Sequence, residues 1–279
     1  PEQSGRLQVV ARVEVLAVDL LVAHAQNPQK CLRDGGRGRE RGLVLVGKRR
    51  LPHLRRRAAG IDAARGDEVY MCVATNGEIG SYGMSRAEIA EMRHKEAQAS
   101  ADVIGAHLIW LGYEDEMLFD NRETRMAFID AVRVARPDII FAPPKHFDYN
   151  QDHDICGYLA FEARVLATVK LMETAHPVID HLPPLFFCTA LGGLSMKTNP
   201  QYFVDITDSF ETKMKMFHCH ASQDGPWSKA AFGVSYSDLL INENKFYASA
   251  CGTPNVEYVE AFTLSTDWPI IANAHKLLP

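Results

Sequence analysis

EVYMCVATNGEIGSYGMSRAEIAEMRHKEAQASADVIG, Glu68 to Gly105, holds one strand, one loop and one helix, and its reading decides the fold. The run EVYMCVAT (68–75) has the length and apolar content of a buried strand. NGEIGSYG after it is turn chemistry. Ser85, with Glu88 three residues on, forms a capping box that opens a helix, and Gly105 is a fitting stop. Ile89, Met92, Ala99 and Val103 fall on one helical face. Glu96 shares that face, so its carboxylate requires a partner.

The same alternation continues outward. HLIWLGY (107–113) reads as a strand, and a helix through Met126, Ile129 and Val132 ends at Arg136–Pro137. DIIFAPP (138–144) reads as a third strand and ICGYLAFEARVLATVKLM (155–172) as a long helix. Strands follow at 185–190, 201–207 and 256–262. Between the last two, DSFETKMKMFHCHASQ (208–223) is expected to be a helix with Asp208 as N-cap, carrying His220 and Gln223 on one face. Strands alternating with helices predict an α/β fold, a Rossmann-like and mostly parallel sheet with helices on both faces. Ligands in such sheets bind beyond the carboxyl ends of the strands. TNGEIGS, LGYEDE and KHFDYNQDHD all fall on that edge.

With 279 residues, 47% of them hydrophobic, the chain can bury a large core. Its net charge of −5 hides a break: residues 1–57 carry a net +8 and residues 58–279 a net −13. The expected organisation is an atypical basic segment over 1–57 followed by a single α/β domain over 58–279. The basic segment lacks interleaved aromatic residues and glycine loops, so no nucleic-acid partner is expected. Six dispersed cysteines without a Cys-x-x-Cys pair suit reduced thiols better than a disulfide frame. No run of eighteen apolar residues occurs, so no membrane partner is expected. The chain begins with Pro and lacks a signal-peptide pattern, and the expected location is cytoplasmic. A homo-oligomer is compatible with this composition.

FDYNQDHDICG (147–157) concentrates polar residues between a strand and a helix. His153 has the chemistry of a ligand for a divalent metal, with Asp152 or Asp148 to orient it. The same residues also suit a helix cap, through Asp152 or Asp154. Mononuclear zinc hydrolases use three protein ligands plus water, so His153 needs partners. Asn150 is suited to donate to an oxyanion or to close an Asx turn. Thr75, Glu78 and Asp115 can hydrogen-bond a polyhydroxylated ligand or cap a turn. His218 and His220, two apart on a helix, point in different directions. His94, His107, His176 and His275 read as surface or core histidines.

VATNGEIGS, Arg93-x-x-Glu96, LGYEDE, RPDIIFAPP, DYNQDH, VDITDSFETKMKMFHCHASQ and YVEAF occur in that order. Together they resemble the PIG-L/LmbE family of metal-dependent N-deacetylases, over about residues 61–265. The resemblance implies a Rossmann-like α/β fold, a Zn²⁺ ion and hydrolysis of an acetamido group on an N-acetylglucosamine-type sugar conjugate. It makes His153 the last ligand of a His-Pro-Asp-His motif and Asp152 that motif's orienting residue. Asn150 stands where many members carry a catalytic histidine. Glu78, Arg93 and Asp115 match positions that line or support the sugar pocket, and His220 matches a position near the same rim.

One departure is large. The family's first strand ends in Ala-His-Pro-Asp-Asp, which supplies two ligands and the general base. Here the strand LVLVG (43–47) is followed by Lys48, Arg49 and Arg50, cations that repel a metal and cannot act as the base. His24, in LLVAHAQNP, and His53 are the substitutes the N-terminal region offers. Three accounts stand open: a shifted reading frame over the first sixty residues, a non-catalytic homologue that binds sugar conjugates, or a site completed by unrelated residues.

Overall fold

A computed structural model of the chain describes residues 9–10, 42–48, 67–80, 83–145, 150–188, 200–224, 229 and 233–269. The expected unit over 68–105 is present: β3 spans Asp67–Thr75 and α1 spans Arg86–Ile104. Ser85 and Glu88 close the capping box, the Ser85 amide donating to the Glu88 carboxylate at 2.8 Å. Gly105 ends the helix at φ 69°, a conformation in which a Cβ is strained. β4 (His107–Tyr113), α2 (Arg122–Ala135) and β5 (Ile139–Ala142) follow as expected.

Two helices differ from their sequence reading. α3 spans Gln151–Leu166, beginning four residues earlier than expected, because Asn150 rather than a later residue caps it. The segment 208–223 opens with a 3₁₀ turn (Thr207–Ser209) that includes Asp208, and α4 spans only Phe210–His218, with no side-chain cap. Its end tightens, the Cys219 amide donating to the Met216 and Phe217 carbonyls, and so the helix stops short of His220. β6 (Leu185–Cys188), β7 (Tyr202–Asp205) and β8 (Val259–Leu264) lie within or beside the expected runs. α5 (Tyr236–Cys251) precedes β8 and was not expected.

With β1 (Val9–Val10) and β2 (Gly42–Lys48), these strands form one sheet in the order β1-β7-β8-β6-β5-β2-β3-β4. β3 pairs parallel with β4, β5 with β6, and β1 with β7. β8 runs antiparallel to β6 and β7, and β2 antiparallel to β3 and β5. Thus six strands point one way, yet only three of the seven pairings are parallel, fewer than expected. Alternate residues of the strands feed two cores. Met71, Phe141, Phe186 and Phe262 pack with Ala101 of α1, Met216 of α4 and Leu240 of α5. Cys72, Ile140, Leu185 and Phe187 pack with Phe128 and Val132 of α2 and Leu159 of α3. The result is a three-layer α/β/α arrangement. β3, β4 and β5 share a direction, so the loops after them open on one rim.

Candidate active site

The first turn of α3 is tied to the loop after β4. Asn150, the N-cap, accepts the Asp152 amide on Oδ1 at 2.8 Å and donates from Nδ2 to the Glu116 carboxylate. Asp152 turns back to that loop, its Oδ2 accepting the Glu116 amide at 2.8 Å and its Oδ1 the Leu118 amide at 3.0 Å. Both bonds go to an acid held 1% exposed. Charge-assisted bonds of this kind contribute about 1.5–3 kcal/mol each. His153 is buried beside them, its amide donating to the Asn150 carbonyl at 3.2 Å. Gly157, one turn on, lets the helix press against the loop after β5. A Cβ there would lie 2.3 Å from the Pro143 carbonyl oxygen.

The loop after β3 meets the same edge. The Asn76 amide donates to the Tyr113 carbonyl at 2.9 Å, and the Glu78 amide donates to Asn76 Oδ1 at 3.1 Å. Arg86, opening α1, joins two loops by donating to Glu114 at 2.9 Å and Glu78 at 3.4 Å. Two turns further along α1, Arg93 is fully buried and donates to the Gly80 carbonyl at 3.1 Å. Gly77, at φ 66°, lies over it: a Cβ there would sit 2.5 Å from Arg93 Cδ. Arg93 therefore supports this loop from below. Glu96 finds the partner its position demanded, accepting the Ser222 amide at 2.8 Å and the Ser222 hydroxyl at 2.6 Å.

Of the sequence-predicted residues, Glu78, Asp115, Asn150, Asp152 and His153 lie on these two loops and the first turn of α3, and Arg93 lies on α1; all but half-buried Glu78 are buried. His220 and Gln223 are buried too, in a turn closed by the Gln223 amide donating to the His220 carbonyl at 2.9 Å. They do not share a helical face, because α4 has already ended. The expectation that Lys48 stands at the rim is overturned. β2 is reversed, so Lys48 pairs with Asp67 at the far end of β3 while Gly42 pairs with Val73 near the rim. Arg49, Arg50, His24, His53, Asp148 and His275 lie outside the described residues. Sequence reading missed Glu116 and Ser222, whose contacts span 34 and 126 positions, and a local pattern carries no signal of such pairings.

The other half of the sheet buries a charge pair of its own. Lys213 of α4 donates to Glu260 of β8 at 2.6 Å and to Asn244 of α5 at 3.1 Å. Burial raises the Glu260 carboxyl above the ordinary carboxylate range, and Lys213 only partly offsets this. Burial likewise pushes up the Cys188 thiol on β6.

Zinc demands three donors of suitable chemistry around one point. Among the described residues, no group of three or more His, Cys, Asp or Glu side chains is arranged to hold a metal ion. Asp152 spends both oxygens on backbone amides. The described donors therefore do not by themselves fit a zinc site.

Residues 59–164 match the family described as PIG-L: GlcNAc-PI de-N-acetylase. The chain is 24% identical over 177 residues to 4-oxalmesaconate hydratase of Pseudomonas putida, covering 61% of this chain and 68% of that protein. It is 31% identical over 162 residues to diacetylchitobiose deacetylase of Thermococcus kodakarensis, covering 56% of this chain and 59% of that protein. The match to the deacetylase thus spans less than two thirds of its length. Among solved structures, the N,N'-diacetylchitobiose deacetylase from Pyrococcus horikoshii aligns with a TM-score of 0.61 at 27% identity, over 73% of this chain and 74% of that one. The 4-carboxy-2-hydroxymuconate hydratase from Pseudomonas putida aligns with a TM-score of 0.62 at 21% identity, over 75% and 88%, a likeness of fold.

Proposed function

We propose, for a chain whose residues 59–164 match the GlcNAc-PI de-N-acetylase (PIG-L) family, that it removes an acetyl group from an N-acetylglucosamine-type sugar conjugate. The observation that carries the reading is the Asp152 clamp, which fixes the acidic loop after β4 against the helix turn that bears His153. Likeness to two diacetylchitobiose deacetylases supports it. In this reading Zn²⁺ is the cofactor and His153 would be one of its ligands. Such an ion, when bound, polarises a carbonyl and acidifies water. Asp152 orients the turn, and Asn150 presents an amide to the reacting group. Glu78 and Asp115 face the sugar's hydroxyls, while Arg93 and His220 hold the walls around them.

Purified protein incubated with Zn²⁺ and N,N'-diacetylchitobiose tests this. Expected are acetate release, one zinc per chain removable by chelator, and loss of both on His153→Ala. A second reading, a non-catalytic sugar-conjugate-binding homologue, is favoured by the lack of a three-donor group among the described residues. It requires no acetate release and calorimetric sugar binding indifferent to chelator and to His153→Ala.

A further inference from the structure

The loop after α3 presents Leu171 to solvent at 89% exposure, and the loop is pinned on both sides of it. Arg133 of α2, itself buried, donates to the Ala167 carbonyl at 3.1 Å and to the Val169 carbonyl and the Thr174 hydroxyl, each at 2.9 Å. Asp130, one turn earlier on α2, accepts the His176 amide at 3.0 Å. A lone exposed leucine is ordinary. What sets this one apart is the groove of about 520 Å³ beside it, between its loop and the start of α2. Met126 and Met172 line that groove with Leu171, and both pack against the core beneath. Thioether side chains adapt readily to an inserted aliphatic group.

The groove is also lined by two acids and two arginines. Asp120 and Arg125 satisfy each other at 2.7 Å, and Arg125 reaches Glu162 at 2.6 Å as well. Arg122 and Glu173 are left over: both are exposed, and neither side chain has an ionic partner among the described residues. One surface therefore holds a knob and a hole, a spare cation and a spare anion. A two-fold axis demands that of a surface that meets itself, because every contact from one residue to another is repeated in reverse. A foreign partner needs only half of it.

We infer that this groove is an isologous interface with a second copy of the chain. Leu171 of each copy enters the groove of the other, and Arg122 pairs with the partner's Glu173. Because the loop is fixed before the copies meet, little ordering entropy opposes the contact. A contact centred on one knob and one ion pair per copy is small, so the dimer is weak, with a Kd of about 1–100 µM.

Sedimentation equilibrium of the full chain from about 1 to 200 µM tests this. The wild type is expected to pass from monomer to dimer across that range. Leu171→Asp weakens association about tenfold or more, while Tm read at about 1 µM stays within about 2 °C because the side chain is exposed. Arg122→Glu and Glu173→Arg each weaken association about tenfold. Mixed one to one, those two variants associate about as tightly as wild type, since both ion pairs across the axis form again. A chain still monomeric at about 200 µM overturns the inference, whatever else the groove then takes, a foreign peptide or another segment of this chain. So does an association that Leu171→Asp leaves within about twofold. So does a mixture of the two charge variants that associates no better than either alone.

Discussion

Asp152 shows how much one side chain can do before any ligand arrives. Its two oxygens bridge from the start of α3 to the amides of Glu116 and Leu118, and Leu118 is itself buried. Asp152→Ala strands a buried amide and removes two charge-assisted bonds, so it should cost about 3 kcal/mol in urea unfolding. Asp152→Asn keeps one acceptor and should cost about half as much. Sequence alone left Asp152 between helix cap and orienting residue. The structure gives the capping to Asn150 and turns both Asp152 oxygens to the loop after β4. The deciding partners lie more than thirty positions away, beyond the reach of any local pattern.

At the level of elements, α1 is a strut between two parts of the molecule. Arg93 carries the loop after β3 and Glu96 carries the turn after α4, three residues apart along one helix side. Gly77→Ala would meet both an unfavourable φ and a 2.5 Å clash with Arg93. A stability loss of about 2–3 kcal/mol is expected in urea unfolding. The α4–α5–β8 contact gives a pH-dependent prediction. Because Glu260 holds its proton more tightly folded than unfolded, its contribution is full below the ordinary carboxylate range. It is lost as pH rises through the folded value. Lys213 opposes that rise, so Lys213→Ala should destabilise by about 3–5 kcal/mol, and by more at pH 8 than at pH 5 in paired urea titrations. Capping and stop signals made α1 and α2 legible, and apolar runs made the strands so. α5 was missed although Ser235, Asp238 and Gly252 mark its ends, because its interior mixes polar and apolar residues without a clear stripe.

Across the whole molecule, the charge break near residue 57 is plain in the sequence, and a basic appendage is its natural reading. Strand pairing adds what composition cannot: β2, from within that segment, lies between β3 and β5. A chain beginning at Ala58 would bare two strand edges in mid-sheet. It should aggregate or lose cooperative thermal unfolding, whereas a dispensable appendage would leave Tm unchanged. The direction of a strand was not legible, because an apolar run reads alike both ways and only its partners fix its sense. That reversal has a practical corollary. An engineer wishing to graft a metal-chelating sequence beside this rim would splice it at Gly42, whose strand partner Val73 lies near the rim. The same graft placed at Lys48 would deliver its donors to the opposite end of the sheet, a full strand's length away.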